Sequence, residues 1–444
     1  MMGYGDRTSW SQGVHDPLYA YLLYVKDGDQ GDEHVWIIPD LCLFSLETSL
    51  SLRKKLSEAA GLEYQQIGIS ATHTHSGPYV RYLAETSEPW EKRYWVLLID
   101  QLAEAVQEAR KQAFPGVIDV RIGSMEFGVN RRGKGRKADP RLVLLSLKDE
   151  SDVCRGHLFV YSCHLTALGV DNYLISSDWV GPVREYWEDK LSVPVGFIQG
   201  AEGNVDPVCR GVLHMEDPDQ AKGVSFEEME ETAQIAVKAF GETLSGDPAA
   251  VLSSLKVSSY QVDLPLRFGA MSTEQIEQKI DEWKQAFAEF LDIPVSEVPD
   301  DYTINALIKE RCRAIGSDDA EVLTWVSRQF TYCGFLAIYR NPSQFSDPSR
   351  GVMACPLVLW DFGALCFLGI PFEVLVENAL HFQKRNPDSI ALIASLFNGW
   401  LGYLPHKDNF LEPDQHELYE TVSTMTSETA GDVILDRTEE VRSC

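Results

Sequence analysis

Strand-like and helix-like segments alternate along most of this chain. Residues 18–25 and 35–39 have the aromatic and β-branched composition of strands, and residues 45–60 place leucines on or near one helical face before Gly61. This alternation favours helices packed on sheets in layers. We therefore predict an α/β fold of layered mixed sheets, organised as a single catalytic domain over residues 1–444.

One long segment departs from this alternation. Residues 272–332 are helical and acidic in character and carry few turn signals. We predict that residues 267–345 form a helical cap inserted in the domain, after which strand patterns return at 356–370. The last thirty or so residues are polar and acidic, and we expect them to run along the surface as a tail.

The charge and the cysteines restrict the classes of partner and compartment. The net charge is −28, with 67 acidic against 39 basic residues, so phosphate backbones and anionic lipids repel the chain. We expect a small neutral or cationic partner and no nucleic acid.

No stretch approaches the roughly 20 apolar residues of a membrane span. Nine cysteines without a C-x-x-C pair, and no secretory signal pattern, predict free thiols and a cytoplasmic protein; the oligomeric state is left open.

Two histidines follow a strand-like run at residues 67–72. His73 and His75 are two positions apart, so a continuing strand would place both on one face at the end where α/β sheets bind ligands. The alternative is a pair of surface or hydrogen-bonded histidines. Because the chain has only ten histidines, the interpretation as a functional pair is favoured.

Further candidate donors stand at other strand ends. His164 ends an apolar strand, although a lone histidine there is more often a hydrogen-bonded core residue. Glu373 follows another apolar strand, where it either complements a helix dipole or serves as an oxygen ligand. Asp178 opens a helix, either as its N-terminal cap or as a carboxylate that orients a ligand histidine. Spacing alone leaves these alternatives open.

Two loops are also singled out. Residues 199–207 form a glycine-rich loop that lacks the Gly-Lys-Ser/Thr ending of a P-loop, so we interpret it as a tight substrate-site loop. Residues 131–137 are the one basic run in an acidic chain. This run is either a solvated loop or the source of an arginine that holds an oxyanion or a carboxylate.

Taken together, these motifs resemble the catalytic N-terminal domain of the neutral/alkaline non-lysosomal ceramidase family. The matching segments are Gly3–Asp6, Gly13–Ala20, Ser70–Pro78, Val129–Arg131, His164, Ser177–Asp178, Gly203–Pro207, Gly369–Glu373 and Asn398–Tyr403. The resemblance implies cleavage of an amide bond at one zinc ion. The implied zinc ligands are His73, His164, Glu373 and Tyr403.

The resemblance also implies roles for the neighbours of these ligands. His75 matches a second active-site histidine, which we expect to transfer protons, and Arg131 matches an arginine that faces the substrate carbonyl. We assign His15 and Asn204 to substrate binding. The family loop reads G-D-V-S-P-N, whereas this chain reads G-N-V-D-P-V, so Asp206 stands in place of the serine and excludes a serine acyl-enzyme here. We expect Asp206 to act as a polar contact, a base or a recognition group for a cationic substrate.

These expectations define a zinc-dependent amidohydrolase that is ceramidase-like but acts on an amide other than ceramide. We expect the chain to be a short bacterial-type relative of the ceramidases that lacks their C-terminal β-sandwich domain and their opening strand. The alternatives are a zinc esterase or lactonase that uses the same site, and a non-catalytic binding protein with the same fold.

Overall fold

The structure is a computed structural model, and it describes residues 1–4, 7, 9–28, 31–80, 89–133, 135–210, 223–301, 303–317, 319–411 and 419–443. The strands are β1 Gly13–Val14, β2 Ala20–Lys26, β3 Glu33–Pro39, β4 Ile67–Ile69, β5 Gly116–Ser124, β6 Gly128–Asn130, β7 Arg141–Asp149, β8 Cys154–Tyr161, β9 Leu174–Ile175, β10 Val195–Gln199, β11 Val205–Pro207, β12 Ala250–Leu252, β13 Lys256–Pro265, β14 Ser346–Asp347, β15 Val352–Asp361, β16 Leu365–Gly369, β17 Glu373–Val374, β18 Ile390–Ala394 and β19 Tyr403–Leu404. The helices are α1 Leu46–Ala60, α2 Pro89–Lys111, α3 Val180–Leu191, α4 Phe226–Leu244, α5 Thr273–Leu291, α6 Ile304–Ile315, α7 Asp319–Phe335, α8 Val376–Arg385, α9 Asp408–Leu411, α10 Tyr419–Ser423 and α11 Ala430–Ser443.

The described residues divide into two units. The first comprises residues 1–210, 223–260 and 357–401, and the second comprises residues 261–356 and 402–443. The sequence-based organisation, a single domain with a cap at 267–345, stays a prediction.

The central sheet of the first unit has the strand order β10–β8–β7–β5–β12. β10 pairs with β8 in parallel, whereas β8, β7, β5 and β12 pair antiparallel along the sheet. Successive residues of β7 point to opposite faces, as the pleat requires. Leu142 and Leu144 pack on α3 and α4, and Val143 and Leu145 join a second core cluster. The sheet therefore buries both of its faces.

A second layer of strands covers the other face. β2 pairs antiparallel with β3, and β3 pairs in parallel with β4. Trp36 and Ile38 of β3 face the central sheet, where β15 contributes Trp360, β16 contributes Phe367 and β18 contributes Leu392. On the opposite face of β3, the odd-numbered residues pack against α1 and α2. The first unit is thus layered helix, sheet, sheet, helix, and the predicted α/β fold of layered mixed sheets is confirmed.

The second unit contains α5, α6 and α7, which lie where the sequence predicts helices. α5 begins with a capping box in which Ser272 and Gln275 bond each other's backbone N–H groups. The prediction of a polar surface tail at the C-terminus was wrong. Residues 430–443 form α11, because Ala430, Ile434 and Thr438 recur every fourth residue and give the helix one buried stripe.

Among the described residues, no helix combines the length and the apolar character that a membrane crossing requires.

Candidate metal centre

Three buried side chains from separate parts of the first unit converge on one point. Nε2 of His73 and Nε2 of His164 each lie 3.3 Å from Oε2 of Glu373. One donor atom from each of the three residues lies within 4.8 Å of the other two. The side chains are at most 5% exposed, so a cation held between them is shielded from bulk water.

The backbone delivers His73 in an unusual conformation. β4 ends at Ile69, and His73 has a positive φ of 72°, a left-handed conformation that is uncommon for a residue other than glycine. The prediction that a continuing strand places His73 and His75 on one face was therefore wrong. His73 and His75 nevertheless come together, with their Nε2 atoms 3.3 Å apart. The chain is fixed here by bonds from His73 N to Leu41 O and from His75 N to Leu165 O.

Hydrogen bonds at the far ring nitrogens determine which nitrogen can bind a metal. Nδ1 of His73 lies 2.8 Å from Cys42 O, and Nδ1 of His164 lies 2.9 Å from Glu202 O. A carbonyl oxygen only accepts, so in both rings Nδ1 carries the hydrogen and donates it. Nε2 is left as the lone-pair donor that faces Glu373. Metal-binding histidines are commonly oriented in this way.

Glu373 is held from both of its ends. Nε1 of Trp400 donates to Oε1 of Glu373 at 2.9 Å, which leaves Oε2 directed at the two imidazoles. The backbone beside it is fixed by the bond from Gly203 N to Val374 O. Only glycine allows this approach, because a Cβ on Gly203 would lie 2.8 Å from Glu373 O.

The donor set fits zinc in both spacing and type. Ligand bonds of about 2.0–2.2 Å at tetrahedral angles separate two ligand atoms by roughly 3.3–3.6 Å. The two measured nitrogen-to-oxygen separations of 3.3 Å agree with this range. Two imidazoles and a carboxylate are also a donor combination found in zinc enzymes.

The electrostatics favour positive charge between the donors. Burial lowers the pKa of His73, but the neighbouring Cys42 and Glu373 outweigh burial and hold this pKa well above its ordinary value. Burial raises the pKa of Glu373, but His73 and His164 outweigh it and hold this pKa well below the ordinary value. The carboxylate is therefore ionised and stabilises a cation beside it, whether a proton or a metal ion.

His75 differs from the two donor histidines. Burial, followed by the proximity of His73 and His164, holds the pKa of His75 well below its ordinary value, so its imidazole is neutral. Its ring contacts the edge of Tyr4 at 4.8 Å between centroids, and Arg7 donates to its backbone carbonyl at 2.8 Å. Nδ1 of His75 is buried and makes no hydrogen bond among the described residues. Its other ring nitrogen, Nε2, is the one that faces the donor cluster.

The segment that carries the three clustered histidines, His73, His75 and His164, matches a known sequence family. The model of the neutral/alkaline non-lysosomal ceramidase N-terminal domain matches residues 1–282. The chain belongs to this ceramidase family. The resemblance inferred from the motifs is thereby confirmed.

Individual ceramidases match shorter segments. Neutral ceramidase 1 of Arabidopsis thaliana is 29% identical over 210 residues, covering 43% of this chain and 27% of that protein. The neutral ceramidase of Mycobacterium tuberculosis is 26% identical over 251 residues, covering 49% of this chain and 39% of that protein. The matches thus span well under half of these relatives. The crystal structure of neutral ceramidase from Pseudomonas aeruginosa aligns over 100% of this chain and 72% of that chain, with a TM-score of 0.68 and 17% identity, which shows a shared fold.

Asp206, which the motif resemblance matches to the family serine, lies beside the donor cluster. Its Oδ1 accepts from Thr166 Oγ1 at 3.2 Å and lies 3.8 Å from Nδ1 of His164. Arg131 reaches the same loop, with Nη1 3.5 Å from Asp206 Oδ1 and Nη2 2.8 Å from Gly203 O. The structure therefore brings Arg131 and Asp206 to the edge of the site. Their catalytic roles stay predictions.

Two further predicted residues support the site from behind. Asn204 uses both ends of its side chain within the protein, accepting from Val376 N at 2.9 Å and donating to Glu377 Oε2 at 2.9 Å. Asp178 accepts the backbone N–H groups of Ala167 and Leu168, both at 3.0 Å, and so orders the chain that follows His164. Both side chains therefore stabilise the backbone around the site. The role of Asn204 in substrate binding stays a prediction.

The last two predicted residues have other surroundings. The ring of His15 stacks on Phe226, with centroids 3.7 Å apart, and Nδ1 of His15 contacts Asp16. Tyr403 is buried in the second unit, where its ring meets Tyr419 edge-on at 5.3 Å. Substrate binding by His15 and metal binding by Tyr403 stay predictions.

Sequence reasoning missed several residues that shape this ceramidase-family site. Trp400 lies in the Asn398–Tyr403 motif, so the motif resemblance could have identified it. The carbonyl groups of Cys42 and Glu202 act through the backbone, so their side-chain identities give no signal. Burial raises the pKa of the Glu202 carboxyl to about 8, and this second carboxyl group interacts electrostatically with His73 and Glu373.

Proposed function

We propose that this chain is a zinc-dependent hydrolase that cleaves a carbon–nitrogen amide bond. His73, His164 and Glu373 would hold the ion, and Tyr403 is proposed as the fourth donor. The observation that carries the proposal is the convergence of two Nε2 atoms on one carboxylate oxygen at 3.3 Å. Membership of the ceramidase family supports the reaction class.

When bound, zinc lowers the pKa of a coordinated water to about 7, which makes a nucleophile available at neutral pH. His75 is neutral and its Nε2 faces the donor cluster, so it can take the proton of the attacking water. The same imidazole then donates that proton to the leaving amide nitrogen. Arg131 supplies positive charge for the developing oxyanion.

We infer that the substrate is an amide other than ceramide. Asp206 replaces the family serine with a carboxyl group, and its Oδ2 makes no hydrogen bond among the described residues. This group suits a polar or cationic feature of a substrate. Because the matched relatives are named ceramidases, ceramide belongs in any substrate panel beside other N-acyl compounds.

We also propose that the protein works in a reducing compartment, with the cytoplasm as the first choice. In the described part of the chain, eight cysteines are free and six of them are buried in the core. This agrees with thiols that are kept reduced.

The first test is metal content by mass spectrometry of the purified wild type and of His73→Ala. We expect about one zinc per wild-type chain and a loss of most zinc in the variant. His34→Gln, a histidine of β3 outside the donor cluster, is the matched control and should keep its zinc. A wild type that stays metal-free after reconstitution with zinc contradicts the proposal.

The second test compares substrates that differ by one linkage. The zinc-loaded protein is incubated with N-acyl amides, ceramide, and esters or lactones of the same acyl chains. Faster turnover of an amide supports the proposal, and faster turnover of esters favours the esterase or lactonase. If zinc binds but no member of the panel is hydrolysed, the non-catalytic binding protein is favoured.

A further inference from the structure

A second set of potential metal ligands adjoins the first. One donor atom from each of Cys42, His73 and His75 lies within 4.8 Å of the other two. Because Nδ1 of His73 donates to Cys42 O, an ion would use Nε2 of His73, which lies 3.3 Å from Nε2 of His75. Sγ of Cys42 lies against the same ring, 3.7 Å from Nδ1. Two of these three residues play no part in the His73–His164–Glu373 set.

The thiol is fixed in this position by the fold. Cys42 follows β3, and its carbonyl accepts the hydrogen of His73 Nδ1 at 2.8 Å, so the residue and the imidazole are locked together. Its side chain is buried against Leu43 and Leu396. His75 is the least buried of the three.

The two sets differ in the kind of ion that they favour. Glu373 contributes a hard oxygen to one set, whereas Cys42 contributes a soft sulfur to the other. Thiolate ligands select thiophilic ions over hard ones. We propose that Cys42, His73 and His75 form a binding site for a thiophilic divalent cation, for which Cd²⁺ is the probe.

Binding at this site competes with zinc in the hydrolase set, because both sets require His73. The imidazole has one ring nitrogen committed to Cys42 O, so its other nitrogen serves one ion at a time. As the metal–sulfur bond forms, the thiol proton passes to the buffer. A thiophilic ion would therefore displace zinc from His73. The inference rests on the cluster geometry and not on the identity of the substrate.

The test is a titration of metal-free protein with Cd²⁺, followed by the ultraviolet charge-transfer band of a cadmium–thiolate bond. The wild type is expected to give the band at one equivalent of Cd²⁺. Cys42→Ser and Cys42→Ala should lose it, and His75→Gln should bind Cd²⁺ at least about tenfold more weakly. His164→Ala, which damages only the hydrolase set, should keep the band.

Cys154→Ser is the matched control, since Sγ of Cys154 also contacts an imidazole, Nε2 of His157, at 3.3 Å. This variant should keep the band. The proposal is overturned if the Cys42 variants keep the band, or if His164→Ala loses it while remaining folded by circular dichroism. Should both Cys42 variants fail to fold, an unchanged Cd²⁺ affinity in folded His75→Gln overturns it instead.

Discussion

Each of the two histidine donors directs its Nε2 atom at Glu373, but different interactions stabilise the two segments that carry them. Around His73, Thr72 donates to the carboxylate of Asp40 at 3.1 Å, and the same carboxylate binds Arg184 through two contacts of 3.0 and 2.7 Å. Around His164, the supports are single hydrogen bonds to its own backbone groups. His164 N donates to Val205 O, and Trp179 Nε1 donates to His164 O, both at 2.9 Å.

This difference shows where each donor is vulnerable. The His73 segment holds a positive φ, which costs on the order of 1–3 kcal/mol, and a buried ion pair lies next to it. The His164 segment relies on several neutral hydrogen bonds, each worth about 1 kcal/mol. Single substitutions should therefore damage the His73 side more than the His164 side.

The largest expected effect is that of Asp40→Asn on stability. The substitution leaves the buried Arg184 guanidinium without its ionic partner, so the free energy of unfolding should fall by about 3–5 kcal/mol. Urea unfolding of metal-free protein, followed by tryptophan fluorescence, measures this. Asp178→Asn is the counterpart on the His164 side and should cost less. The double variant Asp40→Leu/Arg184→Met should recover much of the loss, and a single variant as stable as the wild type contradicts the ion-pair argument.

The next effect is a pH dependence produced by Glu202. Burial raises the pKa of this carboxyl from 4.5 to about 8, so between these values the folded chain keeps a proton that the unfolded chain releases. Stability therefore falls as the pH rises through this window. In metal-free Glu202→Gln that fall should shrink by roughly 2–4 kcal/mol, because one pKa unit corresponds to about 1.4 kcal/mol.

Thermal unfolding of the metal-free proteins at pH 5 and pH 8 measures this difference. The exposed Glu185→Gln on α3 is the control and should follow the wild type. Parallel pH profiles for Glu202→Gln and the wild type would exclude a protonated Glu202.

Trp400→Phe tests the residue that supports both donors through Glu373. The indole N–H is lost while the aromatic volume is largely kept, so Oε1 of Glu373 loses its 2.9 Å bond. Zinc affinity, measured by competition with a chromophoric chelator, should fall by about 10–100-fold. The exposed Trp10→Phe should leave the affinity unchanged. An unchanged affinity in Trp400→Phe means that the carboxylate is oriented by other contacts.

The features of this site that depend on residues close together in the sequence could be predicted, whereas those that depend on distant residues could not. The layered fold follows from local patterns such as the apolar run Leu142–Leu145 of β7. The candidate donors follow from histidines and a glutamate placed after apolar strands, and from the motif resemblance. The conformation of His73 could not be predicted in this way, because its positive φ is imposed by bonds to residues of the β3 end, more than thirty positions earlier.

The mistaken surface tail has a related cause. Residues 430–443 are polar on average, but a stripe at every fourth residue is sufficient to bury one side of α11. Average polarity conceals that stripe, whereas helical periodicity reveals it. Supports such as the carbonyl of Glu202 are invisible to both approaches, because any residue supplies a carbonyl.

The smallest expected effect separates support from substrate contact at Asn204. If the residue only caps α8 and holds Glu377, Asn204→Ala should lower the free energy of unfolding by about 1 kcal/mol and leave the KM of the best amide substrate unchanged. If Asn204 binds substrate as the motif resemblance implies, KM should rise beyond what the stability loss explains. Asn204→Ser keeps an acceptor for Val376 N and should recover part of the stability, so a rise in KM shared by both variants decides for substrate contact.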